Sequence, residues 1–296
     1  MKKAFLFLTL LTLMALACDV AVNIVPPTSP ASSTINTPAP TSLPATQAPS
    51  ATFTAAPPPS NGIRASFGSV SLVIPSGLAN GIGGSQLPRK NEGDGAWWEL
   101  DPGHAQINLG GYVLQGKSHE PQILVYPAQG YAELVPAAFE SMHRLNNILG
   151  NPGAPIGGKQ LPAVPFFNAA QVFASDIQIV TFQSGRGVRF LTEYAQYPAS
   201  ANNQDLFYEF QGLTSDGADY IFAILPVTTP ILGEGSDPAS AVPVGGVAYP
   251  GMGASNADWD AYYNAVPVQL NAQSPASFVP TLNQLDLLVQ SIKVAR

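Results

Sequence analysis

The amino-acid sequence predicts an α+β domain, a mainly antiparallel β-sheet packed by about three helices, after a signal peptide and a disordered Pro/Ser/Thr linker. Between Asp176 and Val227, apolar and polar residues alternate over strand-length runs, and each run ends in turn residues rather than in a helix. Helical spacing is confined to a few stretches outside that region, so parallel βαβ units do not fit. Ahead of residue 61 the texture changes to Pro, Ser, Thr and Ala, which bury too little apolar surface to offset chain entropy. The chain therefore divides into 1–17, 18–60 and 61–296.

Met1-Lys2-Lys3 is positively charged, and the apolar run from Ala4 to Leu16 is shorter than the roughly 20 residues that span a bilayer. Its length and flanks are those of a secretory signal. The run ends in Ala15-Leu16-Ala17-Cys18, and Cys18 is the only cysteine, which excludes an intrachain disulfide and a Cys-based zinc site. This ending resembles the lipobox of bacterial lipoproteins, in which the cysteine is acylated and becomes the new first residue. The usual pattern places leucine before a small residue, whereas Ala15 and Leu16 stand in the opposite order. Ala15-Leu16-Ala17 equally suits ordinary signal peptidase. The resemblance implies lipidation at Cys18 and a cell-membrane anchor facing outside the cytoplasm. Several acyl chains, at about 0.8 kcal/mol per buried CH₂, hold where one chain does not. Asp19 resembles an inner-membrane retention signal of enteric-type bacteria.

From about Val25 to Ser60 the linker reads as a spacer with a reach between roughly 35 Å as a coil and about 130 Å when extended. Ser69 to Ile74 is the first predicted strand of the domain, stopped by Pro75-Ser76-Gly77, and His104 to Leu109 and Gln122 to Tyr126 are the next. Tyr131 to Leu149 has helical spacing, with Gly150 just beyond its end and Pro136 early in it. Asp176 to Gln183, Val188 to Tyr194, Asp205 to Leu213 and Asp219 to Val227 then form a meander. Ser184-Gly185-Arg186-Gly187 and Thr214-Ser215-Asp216-Gly217 are its turns. Pro230 to Ser255 is a long Gly/Pro-rich loop, of the kind that is either functional or mobile. Asp258 to Leu270 reads as a helix interrupted near Pro267. A second amphipathic helix, started by Pro280, carries Leu282, Leu285 and Val289, and Ser291 to Ala295 closes as a short strand.

This closing helix and strand, Leu285 to Val294, resembles the C-terminal end of Mog1/PsbP-like domains, and the whole layout resembles a group of bacterial lipoproteins with a Pro/Thr-rich stalk. The first resemblance covers little of the chain and implies a binding or assembly role rather than a reaction.

Composition narrows the partners. A net charge of −7 with 12 basic residues argues against nucleic acid, which needs clustered Lys and Arg. The three histidines, His104, His119 and His143, have no zinc-ligand spacing, and no Gly-x-Ser-x-Gly elbow is present. Gly83-Gly84-Ser85 reads as a flexible loop, and Gly185-Arg186-Gly187 lacks the rest of a dinucleotide fingerprint. Glu92-Gly93-Asp94-Gly95 reads as a polar turn rather than a calcium loop. The candidate ligand-binding residues are Trp97, Trp98 and Glu99, with His119 and Glu120 in a loop before Pro121. Adjacent indoles on a strand would point to opposite faces, leaving one exposed beside carboxylates, which suits a carbohydrate or cationic ligand.

The expected function is a noncatalytic binding or assembly module tethered to the membrane, with an envelope protein or a small molecule as its partner. No cofactor, metal or catalytic residue is expected. The alternatives are a transporter's solute-binding lipoprotein, which usually has two hinged α/β lobes, and an extracytoplasmic hydrolase. The hydrolase would be favoured by His119 hydrogen-bonded to a carboxylate within one cleft.

Overall fold

Alternation and turn chemistry between residues 170 and 226 produce four consecutive antiparallel strands: β6 (Ala170–Phe182), β7 (Gly185–Ala195), β8 (Phe207–Thr214) and β9 (Asp219–Pro226). The computed structural model describes residues 61–296 apart from Glu92, Asp94, Pro238, Met252 and Arg296; the signal segment, Cys18 and the linker lie outside the described residues. Three further strands, β3 (Gly81–Leu87), β4 (His104–Gly110) and β5 (Gln122–Pro127), extend the meander into a seven-stranded sheet of order β3-β4-β5-β9-β8-β7-β6. A second sheet pairs β1 (Gly62–Phe67) and β10 (Lys293–Val294) on either side of β2 (Val70–Pro75), all antiparallel. The domain is thus α+β and mainly sheet.

Both faces of the seven-stranded sheet are covered. One carries Ile221, Ala223 and Leu225 of β9 and packs against β2 and two helices, α3 (Asn256–Asn271) and α4 (Leu282–Gln290). The other carries Tyr220, Phe222 and Ile224 and packs under α1 (Ala128–Leu134) and α2 (Pro136–Gly150). Each fully buried Leu, Ile or Phe contributes about 1.5–3 kcal/mol, so two such layers hold the sheet from both sides. Every residue of β8 is buried in consequence.

Several sequence expectations are corrected. The helix expected over Tyr131–Leu149 is two, because Val135 stays extended (φ −132°) ahead of Pro136, which takes the first helical position of α2. Gly150 is the last helical residue and Asn151 the cap. Helix α3 runs through Pro267 instead of breaking there; the proline forfeits one backbone bond while Val266 and Leu270 keep the buried stripe. Helix α4 starts at Leu282, capped by Thr281 Oγ1 accepting from the Gln284 amide at 3.2 Å, so Pro280 lies before it. Gly83-Gly84-Ser85 is part of strand β3, and strand β1 had no sequence expectation. The ring of Phe67 lies where a Gly84 side chain would be (Cε2 at 2.7 Å from an added Cβ).

The β6–β7 turn is Gln183-Ser184 alone; Gly185, Arg186 and Gly187 belong to β7. Gly187 faces Gly212 across the ladder, and the rings of Phe210 and Phe182 fill the space that side chains there would take. An added Cβ at Gly187 meets the Gln211 carbonyl, the Gly212 Cα at 2.6 Å and the Phe210 Cζ at 2.6 Å. Backbone cannot yield as a side-chain tip can. Gly187→Ala should therefore lower unfolding free energy by about 1–3 kcal/mol in urea titration; an unchanged midpoint would show that the pair is not tightly packed.

Candidate functional site

Trp97, Trp98 and Glu99 form a short 3-10 turn rather than a strand, which corrects the expectation of indoles on opposite faces. The two indoles meet edge to face, with centroids 5.8 Å apart. Glu99 closes the turn by accepting the Ala96 N–H at 3.0 Å. Trp97 is 54% exposed and leans on Phe166 at 5.2 Å, while Trp98 is half-buried.

Phe166 is followed by Phe167, whose ring stacks on Tyr194 of β7 at 4.2 Å. His119 packs edge-on against Phe167 (5.7 Å) and Phe207 of β8 (4.6 Å). The structure therefore places the tryptophans and His119 at two ends of one aromatic chain joined by Phe166-Phe167. Glu120 is exposed in the loop beside His119. Burial lowers the His119 pKa against the opposing pull of the Asp205 carboxylate, so the imidazole is neutral at neutral pH. Asp205 itself accepts from Ser118 Oγ and, at 2.9 Å, from Asn202 Nδ2. Among the described residues His119 makes no hydrogen bond to a carboxylate.

Beneath the aromatic chain lies a buried polar network that sequence reasoning missed. Tyr194 donates to Glu209 Oε2 at 3.3 Å, Gln211 donates to Glu209 Oε1, and Tyr220 donates to Gln211 Oε1. Burial pushes the Glu209 carboxyl up to about 8, against the pull of these hydrogen bonds, so it is mostly protonated at neutral pH. Gln211 also accepts the Val164 N–H at 3.3 Å, and Ser141 Oγ accepts that of Ala163 at 2.7 Å. These two bonds fasten the segment that carries Phe166 and Phe167. The available sequence signal was the adjacent phenylalanines beyond Pro165 and an acid inside the apolar run Leu206–Leu213.

The opposite face of the sheet holds a second charged cluster. Arg189 is 1% exposed and sets its Nε 3.3 Å from Asp286 Oδ1, which also accepts from Tyr208 at 2.9 Å. An Arg189 Nη donates to the Asp176 carbonyl in a bulge of β6. Asp176 takes a left-handed backbone (φ 51°), and its N–H donates to Asn271 Oδ1 at 2.6 Å. Burial raises its carboxyl to about 6, with Arg189 pulling the other way, and likewise raises Asp286. On the same face buried Glu193 accepts the Asn202 N–H at 3.0 Å, and burial raises its pKa as well.

Among the described residues no group of three or more His, Cys, Asp or Glu is placed to hold a metal ion, and no described helix is long and apolar enough to cross a membrane. Comparison with family models, curated proteins and solved structures gives no match.

Proposed function

We propose that this chain is a membrane-tethered extracytoplasmic lipoprotein whose folded domain is a noncatalytic binding module. The observation that carries it is the placement of Cys18: the sole cysteine ends a signal-like apolar run and is followed by a Pro/Ser/Thr/Ala spacer. The exposed Trp97, braced by Phe166 with Glu99 in the same turn, supports a stacking surface for a sugar ring or a cation. A neutral His119 wedged between two phenyl rings favours recognition over proton transfer. The resemblance of the closing segment to Mog1/PsbP-like domains adds weight to a binding role. A transporter's solute-binding lipoprotein is the weaker reading, since the paired strands of both sheets are antiparallel, whereas such proteins usually have two hinged α/β lobes.

Membrane fractionation tests the tether. Cys18→Ala should move the protein from the membrane fraction to the soluble one; a variant that stays membrane-bound removes the lipid anchor from the proposal. A thermal-shift panel of sugars and organic cations tests the platform. A ligand at about 100 times its Kd stabilises by about 2.7 kcal/mol, and Trp97→Ala should erase that shift while leaving the unliganded melting temperature nearly unchanged.

A further inference from the structure

We infer that the groove at the C-terminal end of α2 is a binding site for a small amphipathic anion, a carboxylate or phosphate head on a short apolar body. It rests on the binding-module reading and adds a ligand class, at a place separate from the Trp97 turn. The groove has a volume of about 420 Å³, within the range of small-molecule sites. Arg144 of α2 and Lys159 of the following loop both line it, and no carboxylate does. Among the described residues neither cation forms an ion pair. In a chain with 19 acidic and 12 basic residues, two unpaired cations sharing one acid-free groove are not what average surface mixing produces.

One amide of the groove, that of Gln160, adds a donor. Gln160 uses its Oε1 to accept the Gly157 N–H at 2.9 Å, which leaves its Nε2 as the free end, a donor. Asn151 turns its Nδ2 back to the Asn147 carbonyl at 3.0 Å, and its own N–H goes to the Ile148 carbonyl at 3.2 Å. Two of the carbonyls that end α2 are thereby satisfied without Arg144. A cation at a helix C-terminus ordinarily answers those carbonyls; here Asn151 does so, Arg144 stands before the last turn of α2, and with no ion pair its guanidinium remains for a ligand. Its planar fork suits a carboxylate or a phosphate. Ile148 and Ile156 supply the apolar wall against which the body of the ligand lies.

Calorimetric titration of the full chain in a neutral detergent tests this, with 3-phenylpropionate and phenyl phosphate as anionic probes and 2-phenylethylamine as their cationic counterpart. Both anions, or one of them, should bind with a Kd at or below about 1 mM and weaken as salt is added, while the amine gives no heat. Which anion binds more tightly assigns the head group. Joint replacement Arg144→Gln and Lys159→Gln should weaken anion binding at least about tenfold. Ile156→Asp, which sets a negative charge in the groove, should do the same without touching either cation. Unchanged melting curves confirm that the variants fold. The inference is overturned if neither anion binds, if the amine binds as well as they do, or if both sets of variants keep wild-type affinity. Trp97→Ala should leave anion binding unaltered, which separates failure of this site from failure of the aromatic platform, and membrane fractionation of Cys18→Ala reads the tether by itself.

Discussion

Raising the pH from about 6 to about 9 should destabilise the domain by about 2.5 kcal/mol through Glu209 alone, or about 5–10 °C in melting temperature. Glu209 is fully buried on β8, and its folded pKa of about 8 stands above the ordinary carboxylate value of 4.5. The folded chain therefore holds a proton that the unfolded chain releases, and each pK unit of difference is worth about 1.4 kcal/mol. That stabilisation is whole below about pH 4.5 and is lost as the pH climbs through about 8. Glu193, Asp176 and Asp286 are raised by burial too and act in the same direction. His119, lowered by burial, acts the opposite way, and only as the pH falls through its ordinary range. Glu209→Gln isolates the effect: the amide can accept from Gln211 and donate to Tyr194 with no charge to bury. Chemical denaturation across the pH range should give a distinctly flatter profile for this variant, its advantage growing above pH 8. Parallel profiles for the two proteins would mean that Glu209 carries no such proton.

Arg189→Met should cost about 3–5 kcal/mol, among the largest single effects available in this fold. The guanidinium is 1% exposed and answers two things at once, the Asp286 carboxylate at 3.3 Å and the Asp176 carbonyl. Removing it leaves Asp286 largely enclosed, without a cation and held only by Tyr208. The loss belongs to the stranded carboxylate more than to the arginine. Adding Asp286→Asn should therefore restore most of the stability, because a neutral amide oxygen still accepts from Tyr208. Urea unfolding of the two single variants and the double variant measures the coupling; purely additive losses would rule out an ion pair between these side chains.

Much of the sheet was legible because its central strands obey the simplest rules. Val188, Phe190 and Thr192 alternate with Arg189, Leu191 and Glu193, and Thr214-Ser215-Asp216-Gly217 turns the chain where its composition says it should. What escaped was what tertiary context decides. Strand β3 contains Gly83 and Gly84, which carry no propensity for a strand, and gains its place from the Phe67 ring lying over Gly84. Trp97 and Trp98 sit in a 3-10 turn closed by a Glu99 side chain rather than by any periodic signal. Pro267 overrides its own reputation because α3 is held by Trp259, Tyr262, Val266 and Leu270 against the sheet. The buried polar groups were hidden for one reason. Alternation in β7 and β8 implies an apolar face and a wet one, but helices α1 and α2 on one side and α3 and α4 on the other cover both. Arg189, Glu209 and Gln211 are then inside, and the low share of charged residues, 10%, was the sequence's only hint of two covered faces. Of the candidate site residues, Trp97, Trp98 and His119 were named from sequence, while Phe166, Phe167 and Glu209 needed the fold to bring them alongside.

The Ser291 hydroxyl accepts the amide of Val73, and the two residues stand 218 positions apart. For a chain made N-terminus first, this orders folding. The β1–β2 hairpin is complete early and waits with Val70, Leu72 and Ile74 bare, since α4 and β10, which shield and flank it, are made last. Closing so long a loop is slow, and exposed strand edges invite wrong pairing in the interval. The domain is consequently a late folder, and a translation product cut short of β10 would be left with an unsealed flank for proteases to find.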